Sequence, residues 1–81
     1  MNLLVIYSDG AEERMSVPDD IETLSFIVGG TPKAMKYGDD LVVAYSEEAN
    51  RRKPNKIKVG KQLFGAVAIM RKEDFDNVVH G

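Results

Sequence analysis

Hydrophobic residues at helical spacing mark one segment, residues 19–30, as an amphipathic helix. The apolar stripe, about two and a half turns long, consists of Ile21, Leu24, Ile27 and Val28. Asp19 is predicted to cap the N-terminus of this helix, and Glu22 to complete a capping box. Gly29 stands where a left-handed residue would end the helix. The pattern therefore predicts both the helix and its two ends.

Apolar or alternating runs of strand length surround the helix. In chain order, the predicted strands are residues 2–8, 12–17, 33–37, 41–46 and 63–70. Asp9-Gly10 predicts a tight type I′ turn between the first two strands, and the third and fourth are expected to pair as a second hairpin around residues 38–40. Apolar residues at helical spacing predict a short C-terminal helix over residues 72–79.

These elements predict one α+β domain, residues 1–81, with the order β-β-α-β-β-β and a short C-terminal helix. The sheet is small, mixed or antiparallel, with about four to five strands and one packed helix. Several strands are apolar on both faces, so the sheet needs two covers. Either the C-terminal segment or a second copy of the protein would supply the second cover. We favour the second copy, which predicts a homodimer.

Composition is that of a folded protein, with 43% hydrophobic and 30% charged residues. The chain has no cysteine, which excludes disulfides and zinc–sulfur sites. Its one histidine, His80, stands next to the C-terminus, so a catalytic triad or a histidine-rich metal site cannot be assembled. Residues 1–7 are apolar but too short to cross a membrane and lack a basic flank. We therefore expect a cytoplasmic protein without membrane contact.

Three pairs of adjacent carboxylates could suggest acid–base or magnesium chemistry: Asp19-Asp20, Asp39-Asp40 and Glu47-Glu48. Adjacent residues point in different directions in a helix or a strand, so each pair presents one carboxylate at a time. The first pair fits a helix cap and the second a turn, which leaves the role of the third open. We predict solvated charge at these pairs, no metal or other cofactor, and no enzymatic activity.

Charge is segregated along the chain despite a net charge of −2. Residues 49–72 contain eight bases and no acid, and six of those bases fall within residues 51–61. We place a basic loop at residues 47–60, exposed and mobile relative to the core, with Ile57 and Val59 as its apolar anchors. The candidate phosphate- or partner-binding residues are Arg51, Arg52, Lys53, Asn55, Lys56, Lys58 and Lys61.

Two interpretations of the basic loop remain open. Its cations could complement the acidic residues across the fold or across a dimer. They could instead bind phosphate from a nucleotide or from nucleic acid. No aromatic residue is interleaved among the bases and the whole chain is acidic, which argues against nucleic acid.

The order of motifs over residues 3–70 resembles a phage and mobile-element family known as domain of unknown function 3846. The resemblance rests on Ile27-Val28-Gly29-Gly30 after the helix, Glu47-Glu48 after an apolar strand, Pro54-Asn55, and a final Phe-Gly-Ala-Val-Ala-Ile. The family has no established activity, and it implies a phage or prophage setting in a host cytoplasm. The leading hypothesis is a non-enzymatic accessory protein that binds a host protein, for example to inhibit host defence. The alternatives are a module that sequesters a nucleotide-like signal and a nucleic-acid-binding protein.

Overall fold

A computed structural model describes residues 1–80. The elements in chain order are β1 (Asn2–Ile6), β2 (Glu12–Ser16), α1 (Ile21–Val28), β3 (Lys33–Lys36), β4 (Leu41–Tyr45), a 3₁₀ turn (Glu47–Ala49), β5 (Val67–Arg71) and α2 (Lys72–His80). The protein is a small α+β domain with one five-stranded antiparallel sheet and two helices. The predicted fold class and the short C-terminal helix are confirmed.

The strands are arranged in the order β2-β1-β5-β4-β3. β5 is therefore the central strand, between β1 and β4, and β2 and β3 form the two edges. Because neighbouring strands run antiparallel, the last residue of one strand lies beside the first residue of the next, and the connecting segments emerge at two opposite ends of the sheet. We call one of them the loop end; it is marked by Ile6, Glu12, Lys33, Tyr45 and Val67. The opposite, turn end is marked by Asn2, Ser16, Lys36, Leu41 and Arg71.

Both helices cover the same face of the sheet, which we call the helix face. The sheet residues of this core are Leu3, Val5, Val42, Ala44, Ala68 and Met70. Leu24 and Val28 of α1 are fully buried against them, and Val78 of α2 belongs to the same cluster. Ile27 is half-buried, whereas Ile21 remains 39% exposed at the start of the helix. The predicted stripe is therefore correct for its last three members.

The ends of α1 are fixed by a carboxylate and a glycine. Asp20, rather than the predicted Asp19, is the N-cap: its side chain accepts a hydrogen bond from the Thr23 amide at 2.7 Å. Hydrogen bonding from the Thr23 side chain, followed by that from the Thr23 amide, lowers the pKa of Asp20. Asp19 instead pairs with the N-terminal ammonium of Met1. Gly29 ends the helix at φ 90°, as its position in the sequence predicts.

The opposite, loop face of the sheet is covered by the chain itself. Ile57, Val59 and Leu63 pack there against a group of sheet residues, Val43, Tyr45, Val67, Ile6 and Ile69. The expectation that α2 or a second copy would supply this cover is therefore wrong. Leu63 belongs to the loop because the strand predicted from residue 63 begins only at Val67, after Gly65 turns the chain at φ 70°. The homodimer was predicted in order to cover a bare sheet face, and that face is covered by the chain itself. The homodimer stays a prediction.

The connection between β1 and β2 is a three-residue loop, not the predicted type I′ turn. The Gly10 amide donates to the Tyr7 carbonyl at 2.9 Å, and the Tyr7 amide donates to the Ala11 carbonyl at 2.8 Å. Gly10 has φ 93°, but Asp9 does not have the positive φ that a type I′ turn requires. The Asp9 carboxylate accepts from the Ala11 amide instead. This turn places Tyr7 at the loop end of the sheet.

Candidate anion-binding grooves

Asn55 attaches the basic loop to the sheet. It is only 3% exposed, and its Nδ2 donates to the carbonyls of Ile6 and Gly65 at 2.9 and 2.8 Å. Its Oδ1 accepts from the Ile57 amide at 2.9 Å. Both amide hydrogens are thus used inside the protein. Asn55 is therefore a structural residue rather than the ligand-binding residue that the sequence suggested. The loop is attached to the sheet at this point and is not exposed along its whole length.

Further hydrogen bonds close the loop on itself. The Asn55 amide donates to the Leu63 carbonyl, and the Gly65 amide donates to the Lys53 carbonyl, each at 2.8 Å. Gln62 Nε2 donates to the carbonyls of Asn55 and Leu63 at 2.8 and 2.7 Å. The backbone between Lys53 and Gly65 consequently has a defined path, and this path fixes where its lysines emerge.

Four lysines line one open groove at the loop end, with a volume of about 1370 Å³. We call it the lysine groove; it is defined by Tyr7, Lys53, Lys56, Lys58 and Lys61. Ile57 and Val59 also line it. Tyr7 is distant from the lysines in sequence, and the hydrogen bond from Asn55 to the Ile6 carbonyl brings the two segments together.

One of these lysines is already paired. Lys61 Nζ lies 3.5 Å from Glu47 Oε1 and 4.6 Å from the centroid of the Tyr45 ring, and Lys33 Nζ lies 3.2 Å from the same Glu47 oxygen. The hydrogen bond from Lys33, followed by the charges of both lysines, lowers the pKa of Glu47. The contact with Tyr45, followed by the charge of Glu47, raises the pKa of Lys61. Glu47 therefore links Lys33 of β3 to Lys61 just beyond the basic loop, which gives it a structural role.

The other basic residues of the loop have no acidic partner among residues 1–80. These exposed cations are Arg51, Arg52, Lys53, Lys56 and Lys58. Many of the acids lie at the other end of the molecule, in the segments that connect or follow strands at the turn end: Asp19, Asp20, Asp39, Asp40, Glu73 and Asp74. Charge pairing within the described chain thus accounts for Lys61, which pairs with Glu47, but not for the five exposed cations of residues 51–58.

Arg52 lies across two glycines beside the C-terminus of α1. A Cβ atom built on Gly29 would lie 3.0 Å from Arg52 Cζ, and one built on Gly65 would lie 2.9 Å from Arg52 Cδ. Both glycines have a positive φ, and a Cβ at either position would require Arg52 to shift. The guanidinium therefore lies close to the C-terminus of α1, where a positive charge is favourable.

A second open groove, of about 910 Å³, lies between α1 and the hairpin of β1 and β2. We call it the aromatic groove; it is defined by Tyr7, Phe26, Arg52 and Lys53. Phe26 is 87% exposed and Tyr7 is 36% exposed. The Tyr7 hydroxyl donates to Glu13 Oε1 at 2.6 Å, and this hydrogen bond raises the pKa of Tyr7. Two exposed rings thus share one groove with two cations.

Neither aromatic residue is among the sequence-predicted site residues. A signal for Phe26 does exist, because it is an aromatic residue on α1 that lies outside the apolar stripe. The placement of Tyr7 depends on the turn after β1 and on the contact of Asn55 with Ile6, which no local pattern encodes. No aromatic residue lies among the bases in the sequence, but the fold places Tyr7 and Phe26 beside Arg52 and Lys53.

Within residues 1–80, no three His, Cys, Asp or Glu side chains are grouped so that they could hold a metal ion. No helix in that part of the chain has the length and apolar character needed to span a membrane. The chain matches no family model, and no curated protein or solved structure shows significant similarity to it. The resemblance to domain of unknown function 3846, and the phage setting it implies, stay predictions.

Proposed function

We propose that this protein is a non-enzymatic binding protein that engages an anionic partner through the lysine groove. The observation that carries the proposal is the set of five exposed cations within residues 51–58, which have no acidic partner among the described residues. They are presented by a loop whose backbone is tied to the sheet through a buried asparagine.

Electrostatics favours an external partner for these cations. Like charges crowded on one surface raise the local potential, and a concave surface concentrates that potential further. Within residues 1–80, the only carboxylate that pairs with a lysine of the lysine groove is Glu47, which is shared between Lys61 and Lys33. A phosphate or carboxylate partner would therefore neutralise charge that the described residues leave uncompensated.

A binding role is supported over catalysis by the chemistry of the groove. Its ionisable residues are lysines, Tyr7 and Asp9, and the Asp9 carboxylate already accepts a hydrogen bond from the Ala11 amide. The only histidine of the sequence, His80, is the last residue of α2 and does not line the lysine groove. If the phage resemblance holds, the anionic partner would be a host component, and the protein would act by binding that component and blocking its function.

Retention on a heparin column tests the proposal, because heparin is a general polyanion. A variant with Lys53→Gln, Lys56→Gln and Lys58→Gln should elute at clearly lower salt than the wild type. The matched control carries Lys36→Gln, Arg71→Gln and Lys72→Gln at the turn end, which lowers the net charge from −2 by the same amount. This control should elute close to the wild type. Circular dichroism would verify that all three proteins are folded.

The proposal fails if the groove variant and the control elute together. It also fails if the wild type does not bind heparin at low salt, since an uncompensated cationic groove must attract a polyanion under those conditions.

A further inference from the structure

We infer that the anionic partner is a single-stranded nucleic acid whose bases stack on Tyr7 and Phe26. The inference rests on the proposed function and adds the chemical class of the ligand. The lysine groove and the aromatic groove share Tyr7, Ser8 and Lys53, so they form one continuous surface. This surface combines exposed rings with cations that have no acidic partner in the described chain.

The two kinds of side chain match the two parts of a nucleotide. Lys53, Lys56 and Lys58 are flexible point charges suited to backbone phosphates. Every base has a π-face that can stack on an aromatic ring, and this stacking tolerates sequence changes. Single exposed apolar residues are ordinary on protein surfaces, but Phe26 is almost wholly exposed and shares its groove with Arg52 and Lys53.

Preorganisation strengthens the assignment. The hydroxyl of Tyr7 is held by Glu13 at 2.6 Å, which restricts the ring before any ligand binds. The stem of Arg52 lies against Gly65 and its guanidinium against Gly29. Arg52 lines the same groove as Tyr7 and Phe26, and a planar guanidinium can contact both a phosphate and the face of a base.

The alternatives use less of this surface. Bases in a duplex are stacked on one another, so their faces cannot reach Tyr7 or Phe26, and the acidic turn end would repel a long rigid polyanion. A mononucleotide offers one base, whereas two rings are presented. An acidic protein would satisfy the cations but has no particular need for exposed flat rings beside them.

Fluorescence anisotropy with a labelled ten-nucleotide oligothymidine tests the inference, with a duplex of the same length and adenosine monophosphate as competitors. The single strand should bind more tightly than the duplex, and the mononucleotide should compete only weakly. Tyr7→Leu and Phe26→Leu should each weaken binding by at least about fivefold, because each removes one stacking platform. Tyr7→Phe should retain most of the binding and lose less than Tyr7→Leu, since it keeps the ring and removes only the hydrogen bond to Glu13.

Tyr37→Leu is the matched control, because Tyr37 is an exposed aromatic residue that does not line either groove. It should bind like the wild type. The slope of log K against log salt should also become less negative by about two in the triple lysine variant, since about 0.7 counterions are released for each phosphate neutralised on a single strand.

The results separate the inference from the proposed function. If heparin retention depends on the three lysines but the oligonucleotide does not bind, or binds equally well without the two rings, the inference is wrong and an acidic protein becomes the partner to seek. Equal or tighter binding of the duplex would also overturn the inference. If heparin retention is independent of the lysines, the proposed function itself fails.

Discussion

Replacing Asn55 with alanine should destabilise the whole domain, although Asn55 lies in a loop. The change removes three hydrogen bonds, of 2.9, 2.8 and 2.9 Å, to Ile6, Gly65 and Ile57. It leaves two carbonyls and one amide without their partner. Buried polar groups that lose a partner cost more than the net value of the bond, because they cannot turn to water.

The size of the effect follows from the burial of each bond. The bond to Gly65 is fully buried, so its loss should cost about 2 kcal/mol, whereas the two partly buried bonds should cost about 0.5–1 kcal/mol each. The total is about 3–4 kcal/mol, a large share of the roughly 5–15 kcal/mol that stabilises a typical domain. For a chain of this length the melting temperature should fall by about 12–32 °C.

Urea unfolding followed by circular dichroism measures this loss. Asn50→Ala is the control, because Asn50 is exposed near the start of the same loop and its side chain makes no hydrogen bond within residues 1–80. It should change the unfolding free energy by less than about 0.5 kcal/mol. A loss below about 1 kcal/mol for Asn55→Ala would refute the reasoning and would mean that Ile57, Val59 and Leu63 hold the loop without it.

Two further predictions concern the same region. Gly65→Ala should lower the unfolding free energy by about 1–2 kcal/mol, because φ is 70° and the new Cβ would lie 2.9 Å from Arg52 Cδ. Gly38→Ala, with ordinary φ and its nearest contact at 4.0 Å, is the control, and equal stability of the two variants would contradict the prediction. Glu47→Gln should be less stable than the wild type at pH 7, and the difference should disappear in strong acid. The folded pKa of Glu47 lies below its ordinary value of 4.5, so its contribution is present above that value and lost as the pH falls through the folded pKa. Urea unfolding over a pH series would show this, and a difference independent of pH would exclude it.

Local patterns predict most of the fold because most of its elements are locally determined. The stripe of α1, its terminal Gly29 and the two hairpins are encoded by residues close in sequence, and each is found in the structure. Where local patterns were ambiguous, the errors were small. Either of two adjacent aspartates could cap α1, and only the geometry of Thr23 selects Asp20.

The cover of the loop face could not be predicted in the same way. Residues 54–63 are polar on average, and their apolar members are too few to give a period. Their position is fixed by contacts across the sheet, above all by Asn55 with the carbonyl of Ile6, 49 positions away in the chain. For the same reason the cations could be predicted from sequence as a group, whereas the position of Tyr7 beside them could not.

The separation of charge at the two ends of the molecule follows from the topology. An antiparallel sheet with this order sends the loops after β1 and β4 to one end, and the turns before α1, between β3 and β4 and before α2 to the other. The basic loop and the acidic turns are thus kept apart by the sheet, and most of their charges cannot neutralise one another within the chain. If the protein binds a polyanion as proposed, the loop end would attract it and the turn end would repel it, which would orient the partner before contact. The contacts that cover the loop face would then also determine where the anionic partner binds.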